Sequence, residues 1–169
     1  MNDAEARLVQ WLRDAHAMEK QAEQMLSAQI SRLENYPQLK AQIEEHLEET
    51  KVQALRLEER IKALDFETSL VKDVGGQLLA FAQAVTGMFA DDEVIKGSLA
   101  SYTFEHLEIG SYRILIAAAE QLGDEATAEV CRKNLREEEA MANWLSEAIG
   151  PTTMQFLSRE VLDLESAKR

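Results

Sequence analysis

From Asp3 to Glu34 the chain contains no Gly and no Pro, and its apolar residues return at alternating steps of three and four. That period belongs to an α-helix with one buried face, and the run is far too long for a strand. Helix-breaking residues stand at each place where the pattern stops. Pro37 follows Asn35-Tyr36, Gly123 follows Leu122, and Gly150-Pro151 follow Ile149. Proline lacks the amide hydrogen and disfavours helix in the residue before it, and glycine suits the position just past a helix. The spacing therefore predicts helices over Asp3 to Glu34, Pro37 to Leu64, Asp92 to Leu122 and Asp124 to Ile149. A short last helix follows from Thr152 to about Leu164. Asp3 is the expected N-cap of the first helix. With Ala6 three residues later, no capping box is expected there. Ala, Leu, Glu, Gln, Lys and Arg dominate, with no alternating strand pattern and no Asn-Gly hairpin signal, so the fold class is all-α.

The connections set the topology. Helices one and two are joined by a few residues, as are helices three and four, so each pair should be antiparallel. Residues 65–90 lie between the pairs. They hold Gly75-Gly76 and Gly87, yet Leu78 to Val85 has a helical pattern. A helix of about 26 residues reaches roughly 39 Å, enough to cross the length of a bundle. Two short hairpins joined by a long helical crossover between helices two and three give a ferritin-like four-helix bundle, here one domain over residues 1–169.

Charge and cysteine usage narrow the function classes. The chain carries 31 acids against 18 bases, a formal charge of -13, and the bases are scattered among acids. Binding to nucleic acid needs a basic face that releases counterions from phosphate, so no nucleic-acid partner is expected. The single Cys excludes a disulfide framework and any multi-cysteine metal site. No charge-free apolar run approaches the roughly 20 residues that span a bilayer, and the opening residues MNDAEAR lack the basic-then-apolar pattern expected of a signal peptide. The expectation is a cytoplasmic protein without a membrane partner.

Three of the apolar seams are interrupted by a carboxylate near the helix midpoint. Helix one reads Leu8, Leu12, Ala15, Glu19, Ala22, Leu26, Leu33. Helix three reads Ser98, Tyr102, Glu105, Ile109, Tyr112, Ile116, Ala119. Helix four reads Cys131, Leu135, Glu138, Ala142, Leu145, Ile149. In helix two the seam is Ile43, Leu47, Thr50, Ala54, Leu57, Ile61, Leu64, with His46 about 45° to its side at 100° per residue. Gln53 shares that flank, as a hydrogen-bond partner rather than a ligand. Glu108 stands three residues after Glu105 and can reach inward from the same face. An ionised carboxylate in a core needs a partner or a metal; otherwise it neutralises. Carboxylates with an imidazole suit iron, manganese or zinc, and two cations bridged by Glu let several acids stay ionised together. If the helices are rotated from this assignment, the acids become exposed or interface-specifying residues, and Glu137 takes the place of Glu138.

Four stretches carry a family resemblance: Trp11-Leu-Arg-Asp-Ala-His-Ala-Met-Glu-Lys-Gln21, Glu45-His-Leu-Glu-Glu-Thr50, Phe104-Glu-His-Leu-Glu-Ile-Gly-Ser-Tyr112 and Glu137-Glu-Glu-Ala-Met-Ala-Asn-Trp-Leu145. Together they resemble the YciE/YciF family of bacterial stress proteins, with YciE the nearer member, within the ferritin-like di-metal carboxylate proteins. The resemblance covers nearly the whole chain. It implies a bundle, often a homodimer, with a di-metal centre, and it brings Glu49 into the ligand set. The metal set is then Glu19, His46, Glu49, Glu105, Glu108 and Glu138, holding two metal ions. Iron is the expectation, with manganese and zinc as alternatives.

The sequence departs from the general ferritin-like pattern of Glu on one helix and Glu-x-x-His on the next, twice over. Helix two has the reversed order His46-x-x-Glu49, helix three has Glu105-x-x-Glu108, and helix four has Met141 three residues after Glu138. Tyr102 and Tyr112 flank Glu105, as packed core residues or as metal-near phenols. Three function classes follow. One is a di-iron oxidoreductase that reacts with O2 or peroxide, with an electron donor that the sequence does not name. The others are a metal-binding protein without turnover and a metal-free helical interaction protein.

Overall fold

The computed structural model describes residues 2–64 and 92–162. Four helices account for nearly all of them: α1 (Asp3–Arg32), α2 (Pro37–Leu64), α3 (Glu93–Gln121) and α4 (Glu125–Val161). Among the described residues there is no strand, so the all-α expectation stands. The predicted crossover falls on residues 65–91 and lies outside the described residues.

Local chemistry sets the ends of each helix. Asn2, not Asp3, caps α1, accepting from the amides of Ala4 and Glu5 at 2.9 Å each. The Glu5 carboxylate accepts the Asn2 amide at 2.8 Å, so a capping box is present one residue earlier than the sequence suggested. At the other end, α1 stops at Arg32 and Leu33 takes extended geometry. Gly123 ends α3 with φ of 72°, in the left-handed region. Its amide donates to Glu120 O at 3.1 Å, and that of Asp124 donates to Ala119 O at 2.9 Å. This pair of bonds is the Schellman closure that glycine makes accessible. Asp124 then caps α4 by accepting from the Thr127 amide at 3.1 Å.

One boundary is corrected. The sequence puts a stop at Gly150-Pro151 and a separate short helix beyond it. In the structure α4 continues through Pro151 to Val161. Proline removes one ladder bond, but the turn beyond it buries Thr152 and Phe156, and Phe156 packs in an apolar cluster with Leu39, Leu145 and Val94. Packing outweighs the local breaker. Met154, Leu157 and Val161 on the same stretch face outward.

In the bundle α1 packs on α2 and α3, and α4 packs on α2 and α3. The core has two apolar parts. At one end Leu8 and Leu12 of α1 meet Leu57 of α2, Leu115 and Ala119 of α3, and Ala128 and Cys131 of α4. At the other end Leu26 and Leu33 meet Leu39 and Ile43, Val94, and Met141 and Leu145. The start of α1 thus lies with the ends of α2 and α3 and the start of α4, so every adjacent pair is antiparallel. Leu64 and Val94 belong to opposite ends. Where the two apolar parts meet, the interior is polar. Among the described residues no helix is long and apolar enough to cross a membrane.

Candidate metal centre

The polar layer is built from one or two residues of each helix. Glu19 of α1, His46 and Gln53 of α2, Glu105 and Glu108 of α3, and Asn134 and Glu138 of α4 are all at most 1% exposed. On α2 the buried face runs Ile43, His46, Thr50, Gln53, Leu57, so its centre lies toward His46 rather than toward Leu47 and Ile61. Thr50 stays within this face by donating to His46 O at 2.9 Å.

Four of these side chains converge. His46, Glu105, Glu108 and Glu138 each offer a ligand atom, and those atoms all lie within 4.8 Å of one another. His46 Nε2 is 3.2 Å from Glu105 Oε2 and 3.4 Å from Glu138 Oε2. The opposite ring nitrogen, Nδ1, is 3.0 Å from Glu49 Oε2. Glu49 is 39% exposed at its side chain, so it meets the imidazole from outside the layer and is not in the cluster. Glu19 is also outside that group of four. Its Oε1 accepts a hydrogen bond from the Tyr112 hydroxyl, and Asn134 Nδ2 donates to that hydroxyl oxygen at 2.9 Å.

The acids are not satisfied by hydrogen bonds. Five carboxylate oxygens are buried with no donor: Glu19 Oε2, Glu105 Oε2, Glu108 Oε1, and both oxygens of Glu138. The close approaches of His46 Nε2 lack the alignment of hydrogen bonds. An unpaired buried acceptor carries a desolvation cost of about 1–3 kcal/mol, and more when charged.

Electrostatics follow from this crowding. Burial, then the Glu138 charge, raises the Glu19 carboxyl well above its ordinary range, against the opposing bond from Tyr112. Burial, with Glu138, Glu19 and Glu105 nearby, does the same to Glu108. Burial pushes Glu138 up to about 8, although His46 pulls the other way. For His46, burial favours the neutral ring, but Glu105, Glu138 and Glu49 outweigh it and push the imidazole up to about 12. Protons are held where a cation would relieve the same repulsion.

Such a donor set fits divalent metal. Metal–ligand bonds of about 2.0–2.2 Å place ligands on opposite sides of an ion just over 4 Å apart, so a 4.8 Å spread closes on a cation with small side-chain shifts. A carboxylate on the outer nitrogen of a ligating histidine is the usual way to fix its tautomer and orientation.

The remaining residues marked in the sequence stand apart from the cluster. Glu137 faces α2, where it accepts from Arg56 Nη1 at 2.6 Å and Gln53 Nε2 at 3.1 Å. Tyr102 is half-buried and meets the exposed His106 edge to face, with ring centroids 4.6 Å apart. Glu23 pairs with Lys20, and His16 is half-buried. Cys131 is a buried free thiol in the apolar core. Two residues of the network, Asn134 and Arg56, carry no signal in the sequence beyond their helical spacing. Asn134 stands four residues before Glu138, and Arg56 three after Gln53.

Comparisons with known proteins converge on one family. The family described as a domain of unknown function (DUF892) matches residues 3–158. Protein YciF of Escherichia coli K12 is 31% identical over 144 residues, which cover 83% of this chain and 86% of that protein. A solved structure of a protein from Xanthomonas campestris pv. campestris is 41% identical, with a TM-score of 0.79, covering 94% of this chain and 99% of that one. The crystal structure of the Escherichia coli stress protein YciF is 24% identical, with a TM-score of 0.75 over 88% of this chain and 96% of that one, and shares the fold.

Proposed function

The chain belongs to the DUF892 family, and from that premise we propose that it is a ferritin-like stress protein whose bundle holds two metal ions, most suitably iron, for reaction with O2 or peroxide. One observation carries the reading: five donor-less carboxylate oxygens in the buried polar layer, two of them within 3.4 Å of His46 Nε2. Charge supports two ions rather than one. Glu19, Glu105, Glu108 and Glu138 ionised carry four negative charges, which two divalent cations balance beside a neutral His46. One divalent cation would leave two buried negative charges unbalanced, and buried charge is costly.

His46 Nε2, Glu105 and Glu108 would hold one ion. Glu138, with both oxygens unpartnered, would be shared with the second ion, which Glu19 Oε2 would also hold. In this arrangement Glu49 orients His46 through Nδ1. Bound iron would supply the electrons that reduce O2 or peroxide. The protein's own contribution is to exclude water through the two flanking apolar clusters and to present carboxylate oxygens that the cations would keep ionised. Two further features belong to the same proposal. The exposed Met154, Leu157 and Val161 support a homodimer, and the lack of a spanning helix among the described residues is compatible with a cytoplasmic location.

The test is anaerobic loading with Fe(II), followed by mixing with O2 or peroxide. The expected result is an oxidant-dependent absorption change at two irons per chain. Iron bound without any such change would reduce the function to metal binding without turnover.

A further inference from the structure

One chain of hydrogen bonds leads from the rim of the bundle to the buried acid on α1, and the direction of every bond in it is fixed. Arg56 lies at the rim, with its side chain 18% exposed. Its Nη1 contacts Asn134 Oδ1 at 2.9 Å. Guanidinium has donors only, so Asn134 must turn its carbonyl oxygen to Arg56 and its amide nitrogen to Tyr112. Tyr112 Oη then accepts at 2.9 Å, and its own hydrogen is left for Glu19 Oε1. Asn134 and Tyr112 are fully buried, so no solvent alternative competes. The upstream end is anchored as well, because Arg56 Nη1 also donates to Glu137 Oε2 at 2.6 Å.

We propose that Arg56, Asn134 and Tyr112 form a positioning relay that commits Glu19 Oε1 to the phenol and leaves Oε2 as the single oxygen Glu19 offers to a cation. This rests on the di-metal reading. Free rotation would let Glu19 chelate through both oxygens or swing away; the relay removes both options. It also places a cation at the head of a one-way donor chain, and such chains strengthen bond by bond in a low dielectric. None of the three relay residues is a ligand. Their effect on metal passes through Glu19 alone.

A double-mutant cycle tests this on the full-length protein. Mn(II) binding would be titrated by electron paramagnetic resonance in wild type, Tyr112→Phe, Arg56→Met and the double variant. Loss of groups that orient metal ligands typically weakens metal binding about 10- to 100-fold. The expected result is a loss in that range for Tyr112→Phe and a smaller one for Arg56→Met. The double variant should be no weaker than Tyr112→Phe, because both act through one path. Losses that multiply, or unchanged affinity in Tyr112→Phe, overturn the relay. A metal-free readout separates this from the metal reading: the Tyr112 ring-carbon shift, by nuclear magnetic resonance, should move in Asn134→Leu and in Arg56→Met. No movement overturns the relay whether or not metal binds. Movement in these variants, together with a wild type that binds no cation, overturns the metal reading and Glu19's role in it.

Discussion

Glu138→Gln should make the metal-free protein more stable while removing its response to metal. Glu138 is wholly buried, both its oxygens lack donors, and its carboxyl is pushed up to about 8. A carboxyl raised in the folded state stabilises fully below its unfolded value of 4.5, and that contribution is lost as pH rises toward 8. The gain from Gln is therefore small near pH 4.5 and largest at pH 8. The amide can also donate to the unpartnered oxygens of Glu105 and Glu108. Removing an unsatisfied buried charge is expected to yield about 2–4 kcal/mol at pH 8. For a chain of this size each kcal/mol moves the melting temperature by about 2–4 °C. Calorimetry at both pH values, with and without Mn(II), checks the pattern. A destabilised variant at pH 8 would mean that Glu138 has a satisfying partner in the native protein.

The second large effect is in pH. Glu19, Glu108, Glu138 and His46 are all raised, so the folded metal-free protein holds more protons than the unfolded chain. By linkage their joint contribution to stability falls as pH rises. It starts to fall above 4.5 for the acids and above 6.5 for His46, whose share is lost progressively toward about 12. Surface acids act oppositely: Lys62 holds Glu58 low and Lys96 holds Asp92 low, contributions lost on acidification. A metal must displace the buried protons, so its affinity should rise at least tenfold per pH unit between about 5.5 and 7.5. Calorimetric titration in buffers of different ionisation enthalpy would count the protons released. Affinity independent of pH would mean that these side chains do not hold the ion.

Much of this site was legible in the sequence because it breaks a rule. Glu19, Glu105 and Glu138 interrupt apolar stripes, and a carboxylate in a seam has few explanations. His46 was harder to place. The buried face of α2 is itself polar through His46, Thr50 and Gln53, so an apolar criterion centred the face one position away, on Leu47. The position of Glu49 is not a matter of helical phase at all. It depends on which side of the imidazole its carboxylate reaches. Asn134 and Arg56 were silent for a similar reason, since their roles exist only in bonds between α2, α3 and α4. At Pro151 a local rule was applied correctly and lost to packing, because Phe156 fills the end of the core. At the first helix two good capping residues stand side by side. Asn2 prevails because Glu5, and not Ala6, then closes the box.

The central claim is that four buried carboxylates and one imidazole are held together by two cations. Metal content per chain, measured by mass spectrometry on protein purified without an affinity tag, tests it most directly. The comparison is with the Glu19→Gln, Glu138→Gln double variant. About two ions per chain in the wild type, lost in a variant that remains folded, is the predicted result. No metal in either protein, even after anaerobic loading with Fe(II), would contradict it and leave a helical bundle with buried acids and no cation.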